Sequence, residues 1–493
     1  MKKISIILAG LFAIVATSCE KDYLQTGPTN QVDQSAVFKT TANAWGAVNG
    51  IHRMLYQQWN GNQDQGGQSA NMLYMDFMAE DLVFTAQPGT SWFLTNYRWQ
   101  DHRNVNHRVP YFNYQFYYVI IANANMIIAN IDAAEGTDAE KKAIKGQALA
   151  YRGWAYFQMI QLFGKRFDKG SANDGMGLPI VLEPGNTPQA RNTVAEVYAQ
   201  INKDLDDAIT NLTGYSRPNK SHINVNVAKG FKARVALAQQ NWPLAAQMAA
   251  EARQGMNLMS NTQYMEGFND YGNPEWMWGS HQQADQTTYF YSFFAYISAD
   301  FNSTHIRTSP KAINSWLYDQ IATTDVRKQL WDPTGKNTAF PVPPGGVRKA
   351  YMNRKFLSAG GSSSSIGDVP MMRVAEMYLI EAEARARAGN DDAAAANALY
   401  QLASKRNPSY TLSANTGQAL IDEIMIQRRV ELWGEGFRFY DLKRLNLPLD
   451  RTGANHQTSL AVVFNVPAGD KMWEFLIPQQ EINTNPLMVQ NPL

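Results

Sequence analysis

A chain of 493 residues that is 45% hydrophobic, 12% aromatic and only 18% charged is composed to bury a large core, and its composition excludes a disordered protein. Forty-four Lys and Arg stand against 43 Asp and Glu, a formal net charge of +1, which excludes the general electrostatic footprint of a nucleic-acid-binding protein. Thirty-four Gly and 21 Pro are ordinary numbers that exclude a collagenous or low-complexity architecture, and the length permits two to three domains or one large one.

The N-terminus reads as a targeting segment. Lys2 and Lys3 precede an apolar or small-residue run from Ile4 to Ala16, the length of a signal-peptide core and short of the roughly 20 residues of a membrane span. The single cysteine, Cys19, follows Ala16-Thr17-Ser18, and no second cysteine exists to pair with it. This placement resembles the lipobox of bacterial lipoproteins, with Ala16 where Leu is usual, and implies that Cys19 becomes the first residue and carries the lipid. The expected segments are a signal peptide over 1–18 and a lipidated tether over 19–41, where Gly27, Pro28 and Asn30 break any periodicity.

From Ala42 the pattern turns helical. Ala143, Gly146, Ala150, Trp154, Phe157 and Ile160 recur at three- and four-residue steps, predicting a helix that stops at Gly164. Val194, Val197, Ile201, Leu205, Ile209 and Leu212 predict another. Two Ala-rich pairs follow, from Ala228 to Ala252, broken at Asn241-Trp242-Pro243, and from Met371 to Ala403, broken at Gly389-Asn390. In the second pair Ala382, Gly389 and Ala394 fall at the offsets of a tetratricopeptide hairpin, without self-similarity along the whole chain. The expected fold is mainly α, with irregular tetratricopeptide-type helical hairpins carrying long aromatic-rich loop insertions. The body divides into 42–255, a loop-rich insertion over 256–370, and 371–493.

The insertions concentrate the aromatics: 15 between Tyr56 and Tyr118, and 12 between Tyr264 and Phe301. Catalytic patterns are missing from the sequence. The seven His include no HExxH spacing, and there is no phosphate-binding or dinucleotide loop and no GxSxG elbow. No cofactor or metal is expected. Carboxylate pairs such as Glu80-Asp81 keep a glycoside hydrolase open as an alternative. Sugar rings stack their C–H faces on aromatic rings while amides and charged groups bond their hydroxyls, and Ser91 to Asp101 supplies both kinds of group. If that segment forms a loop it is a plausible platform, with Trp92, Tyr97 and Trp99 as its rings and Asn96 among its polar groups, whereas Tyr111 to Tyr118 reads as core.

Several segments together resemble the SusD/RagB nutrient-binding outer-membrane lipoproteins. They are Gly146 to Phe157 with Leu162-Phe163-Gly164 and Gly177-Leu178-Pro179; Arg373 to Ala384; Gln427 to Leu432 with Gly434 to Arg444; and the end, Phe475 to Pro478 with Asn485-Pro486. The resemblance implies a SusD-like fold and a cell-surface, lipid-anchored lid on a SusC-like TonB-dependent transporter of the outer membrane. Such a lid captures oligosaccharides, sometimes peptides, and breaks no bond. It also implies ligand-binding aromatics in the early loop and the middle insertion, adding Trp276, Tyr289 and Tyr296 to the candidates. The near-zero net charge favours a neutral glycan. A peptide-binding lid or helical-repeat scaffold is the alternative, and a hydrolase the third reading. Arg428, Arg429, Glu431, Glu435, Arg438, Asp441 and Arg444 read as an ion-pair staple of the fold rather than as chemistry.

Overall fold

The computed structural model describes residues 34–283 and 290–493, so the signal segment, Cys19 and Tyr289 lie outside the described residues. Its framework is a run of helices: α1 (Thr41–Met54), α2 (Gln68–Met78), α3 (Arg108–Asn130), α4 (Asp138–Phe163), α5 (Val194–Leu212), α6 (Val225–Ala238), α7 (Trp242–Ala252), α8 (Val374–Ala388), α9 (Asp392–Arg406), α10 (Gly417–Glu431) and α11 (Arg438–Arg444). Helices α4 and α5 each begin with a full capping box, Thr137 with Glu140 and Thr193 with Glu196, which satisfies the first free backbone donors. The two then pack closely because α4 carries glycine at the contact: a Cβ on Gly146 would stand 2.7 Å from Leu212 Cγ, and one on Gly153 3.1 Å from Leu205 Cγ. Helix α4 stops at Phe163 and Gly164, as its sequence predicts. Helix α3 is long and apolar enough to cross a membrane by length and composition, yet Phe112, Phe116, Tyr117, Ile120 and Ile121 on it are buried in the core.

The hairpins form where the Ala-rich pairs lie. Asn241 caps α7 by accepting the Leu244 N–H, and Gly389, at φ 80°, closes α8 in the left-handed conformation that glycine adopts without strain. One boundary differs from expectation. Met371 belongs to a strand, and α8 begins only at Val374. Pro370 cannot donate in a helix interior, and the segment instead pairs with an earlier strand.

The strands are short and lie mostly in the insertions. A four-stranded sheet has the order β1-β3-β5-β4, built from β1 (Leu82–Phe84), β3 (Lys311–Ile313), β4 (Trp331–Asp332) and β5 (Met352–Asn353). Strand β2 (Trp276–Ser280) pairs antiparallel with β6 (Val369–Arg373), and β7 (Leu449–Asp450) with β8 (Asn465–Val466). A main apolar cluster runs through α1 to α8 and the insertions, and a smaller one, with Leu379, Leu399, Leu402, Leu420 and Ile424, joins α8, α9 and α10.

The predicted staple is built, and most of it is buried. Glu431 accepts from Arg373 at 3.0 Å, Arg406 at 3.2 Å and Arg327 at 3.3 Å, and all four side chains are at most 1% exposed. Glu435 takes Arg373 at 2.6 Å and Lys355 at 2.7 Å. Asp441 takes Arg428 at 2.7 Å and Arg444 at 2.8 Å, and Arg444 reaches on to Glu383 at 2.7 Å. Arg429 and Arg438 each lie 2.6 Å from Asp81 and Glu80 respectively. Helices α10 and α11 are thereby tied to α8, to β6 and to the start of β1.

Candidate functional site

The early-loop candidates are core residues. Trp92 is 7% exposed and packs on His305 and Tyr296, at ring-centroid distances of 5.1 and 5.9 Å. Asn96 is buried. The Tyr97 hydroxyl donates to His456 Nδ1 across 2.5 Å, since His456 Nε2 gives its proton to the Glu80 carbonyl at 2.9 Å, and the two rings stack at 5.7 Å. Trp99 gives its indole N–H to the Met78 carbonyl at 2.8 Å and meets Trp473 edge-on at 4.9 Å. Phe93 and Trp99 take the left-handed conformation, at φ 60° and 56°, and these two bends fold the loop back into the body. Arg451 holds it there. Fully buried, it donates to the carbonyls of Phe77, Ala79, Tyr97 and Val463 and lies 4.5 Å from the Tyr97 ring centre.

The middle-insertion candidates go the same way. Trp276 is completely buried on β2, and Tyr296 is buried with its hydroxyl donating to the Gln63 carbonyl at 2.6 Å. Tyr289 lies outside the described residues. The expected exposed platform of Trp92, Asn96, Tyr97, Trp99, Trp276 and Tyr296 is therefore corrected: all six are buried, the early loop because its two left-handed bends fold it into the body and Trp276 and Tyr296 because strand β2 and a short helix carry them into the core. Tyr111 to Tyr118 holds to its expectation, with Phe112, Tyr114, Phe116 and Tyr117 buried.

Among the described residues the exposed aromatics are Trp316, at 47%, and Phe290, at 37%. Phe290 lies 6.4 Å from Trp92, near the end of the β1–β3 ladder that holds Phe84 and Lys311. Trp316 follows the other end. It sits in the first turn of a five-residue helix, Ser315–Asp319, whose start is fixed from three sides. Asn314 accepts the backbone N–H groups of Trp316 and Leu317 at 2.9 and 3.3 Å and donates to the Glu80 carbonyl at 3.0 Å. Asn455 accepts the Ser315 N–H at 2.9 Å and donates to the Ile313 carbonyl at 3.0 Å.

The indole itself is braced. The Arg429 guanidinium lies 5.2 Å from its ring centre, and Arg429 is in turn held by Asp81. Burial alone would push Glu80 up, but Arg438 and Arg429 outweigh it and hold its carboxyl below the usual range, so the brace stays charged. These ion pairs engage Glu80 and Asp81, the carboxylates named for a hydrolase, through Glu80 Oε1 and both oxygens of Asp81, while Glu80 Oε2 is buried without a hydrogen-bond partner. Asp319 and Gln320 are exposed on the same turn, with Ser315 and Asn455 half-exposed beside it. A fixed aromatic ring bordered by amide, hydroxyl and carboxylate groups stacks on a pyranose and bonds its hydroxyls with little ordering cost. Asn314-Ser315-Trp316 carries a readable capping signal, an Asn before a short helix. Arg429, the group that makes the ring a platform, stands far along the chain.

Two family models match in tandem: the SusD family over residues 237–493, and a family described as starch-binding and associating with the outer membrane over residues 23–237. No curated protein matches. Among solved structures, the chain is similar to a SusD-like carbohydrate binding protein from Bacteroides vulgatus ATCC 8482, at 27% identity and a TM-score of 0.79, covering 92% of this chain and 98% of the other. It is also similar to a SusD superfamily protein from Bacteroides thetaiotaomicron VPI-5482, at 23% identity and TM-score 0.76, covering 92% and 100%. A laminarin binding SusD-like protein shares the fold at 19% identity and TM-score 0.70, covering 92% and 100%. The two family models together span residues 23–493, and the chain belongs to the SusD/RagB family.

Proposed function

We propose that the protein is a lipid-anchored, cell-surface binding protein that captures oligosaccharides and passes them, as a lid, to a SusC-like TonB-dependent transporter without cleaving them. The observation that carries the capture step is Trp316, an indole 47% exposed and braced from behind by Arg429. A braced ring loses little freedom when a sugar stacks on it, and a single stacking contact with a few hydrogen bonds gives affinity modest enough for release into a pore. Membership of the family, the outer-membrane description of its N-terminal model, and the carbohydrate-binding relative at 27% identity support the same reading.

Calorimetric titration of residues 20–493 against neutral oligosaccharides and short peptides tests it. One glycan is expected to bind and be recovered intact, and Trp316→Ala is expected to weaken it by about tenfold or more, about 1.4 kcal/mol. Binding of peptides alone, or recovery of cleaved glycan, overturns the reading. Attachment is tested separately. Each buried CH₂ of an acyl chain contributes about 0.8 kcal/mol, so Cys19→Ala is expected to move the protein from the membrane to the soluble fraction. Retention in membranes that lack the transporter contradicts the anchor.

A further inference from the structure

A second surface, sharing no lining residue with the Trp316 turn, is built around one carboxylate. Past the end of α4, where α5 begins and α11 ends, lies a cleft of about 410 Å³. Val194, Leu442 and Trp473, each at most 3% exposed, give it an apolar wall, and Leu447, Lys165, Asp174 and Asn446 stand exposed at its rim. Glu474 lines the same cleft and is 8% exposed, yet its carboxylate accepts no hydrogen bond from any described residue. The other acids inside are engaged: Asp168 takes Arg166 at 2.8 Å, and Asp470 accepts the Met472 N–H at 2.8 Å.

The charge of Glu474 is nonetheless balanced. Burial lowers Arg103, Arg191 and Lys443, the last to about 8, and the negative charge of Glu474 pulls each back up. The N–H groups of these three cations are used elsewhere. Lys443 Nζ donates to the carbonyls of Gln161, Gly164 and Trp473 at 2.7, 2.8 and 2.7 Å. Arg103 donates to the carbonyls of Lys471 and Glu474 at 3.1 and 2.7 Å and to that of Pro492. Arg191 reaches the carbonyls of Phe163, Gly177 and Val489 at 3.0, 2.7 and 3.0 Å. A carboxylate in this position lacks a hydrogen-bond donor rather than a counter-ion, and a neutral hydroxyl supplies the donor without adding charge. A cationic ligand would set a fourth positive charge beside three. The apolar wall suits the C–H face of a ring, and the volume lies within the roughly 300–1,000 Å³ of small-molecule sites.

We propose that this cleft is a second carbohydrate site, for a neutral sugar with one hydroxyl donating to Glu474 and others bonded by Lys165 and Asn446 at the rim. The choice of a sugar among hydroxyl compounds rests on the glycan function proposed above. A cyclic sugar and an open-chain polyol share this chemistry. Calorimetric titration of residues 20–493 carrying Trp316→Ala, which removes the first surface, with glucose, sorbitol and methylammonium separates them. Glucose is expected to bind, Glu474→Gln on that background to weaken it about tenfold, and Leu447→Ala, at the exposed rim, to weaken it several-fold at an unchanged melting midpoint. Equal or tighter binding of sorbitol would support the site and assign the polyol. It would do so whether or not an oligosaccharide binds the wild-type chain, which keeps failure of this proposal distinct from failure of the glycan function. Absence of heat with glucose and sorbitol alike, heat unaltered in both cleft variants, or preferential binding of methylammonium would overturn the proposal.

Discussion

Glu431→Gln is expected to cost about 3–5 kcal/mol of stability, the range for breaking a buried ion pair from one side. The cluster is balanced: Arg327, Arg373, Arg406 and Lys355 face Asp325, Glu275, Glu431 and Glu435, all essentially buried. Gln keeps the shape but removes one negative charge, leaving a buried excess cation. Denaturant midpoints of the two proteins measure the effect. The same group carries a pH signature. Burial pushes Glu431 up, but Arg406, Arg373 and Arg327 outweigh it and hold its carboxyl well below the usual range, and Arg428 and Arg444 likewise bring Asp441 down to about 2 against its burial. A carboxylate with a depressed folded pKa stabilises fully above its unfolded value of about 4, and that stability is lost as pH falls through the folded value. Wild-type stability is therefore expected to fall steeply below about pH 4, and Glu431→Gln to show a shallower slope there. The buried histidines act in a higher window. Burial lowers His52 to about 3 and His222 to about 4, so both resist protonation in the folded state and withdraw stability as pH falls from about 6.5 toward 4.

Trp99→Ala is expected to cost about 3–5 kcal/mol as well, by a different route. The ring is 2% exposed, edge-on to Trp473 and His102, and its N–H satisfies the Met78 carbonyl. Removal opens a cavity and strands that carbonyl without its donor. The left-handed φ of 56° persists in Ala, so nothing is recovered from the backbone. Thermal unfolding is expected to show a clear drop in midpoint, while glycan affinity at temperatures where the variant remains folded stays the same.

Much of the helical frame is legible in residue spacing. The small-then-large stripe from Ala143 to Ile160 and the breaks at Asn241 and Gly389 are local signals, and local physics decides them. The alternating Arg and carboxylate run from Arg428 to Arg444 is legible for the same reason, since charges at that density in a buried segment must pair. The fate of Trp92, Tyr97 and Trp99 is not local. Tyr97 is drawn inward by Arg451 and His456 and Trp99 by Trp473, all from the last strands and turns of the chain, and nothing in Ser91 to Asp101 announces those partners. Trp316 escapes notice conversely: its short helix is readable, but its exposure and its Arg429 brace depend on how α10 meets β1. The Met371 boundary fails because strand pairing with Trp276 to Ser280 overrides helical periodicity.

The central claim is that this protein binds glycan on a braced exposed indole while its many other aromatics hold the body together. Measuring melting midpoint and glycan affinity side by side for Trp316→Ala and Trp99→Ala tests it most directly. The expected pattern is crossed: Trp316→Ala loses affinity at an unchanged midpoint, and Trp99→Ala loses midpoint at an unchanged affinity. Intact binding in Trp316→Ala, with affinity lost in a still-folded Trp99→Ala, would contradict it and return the site to the early loop.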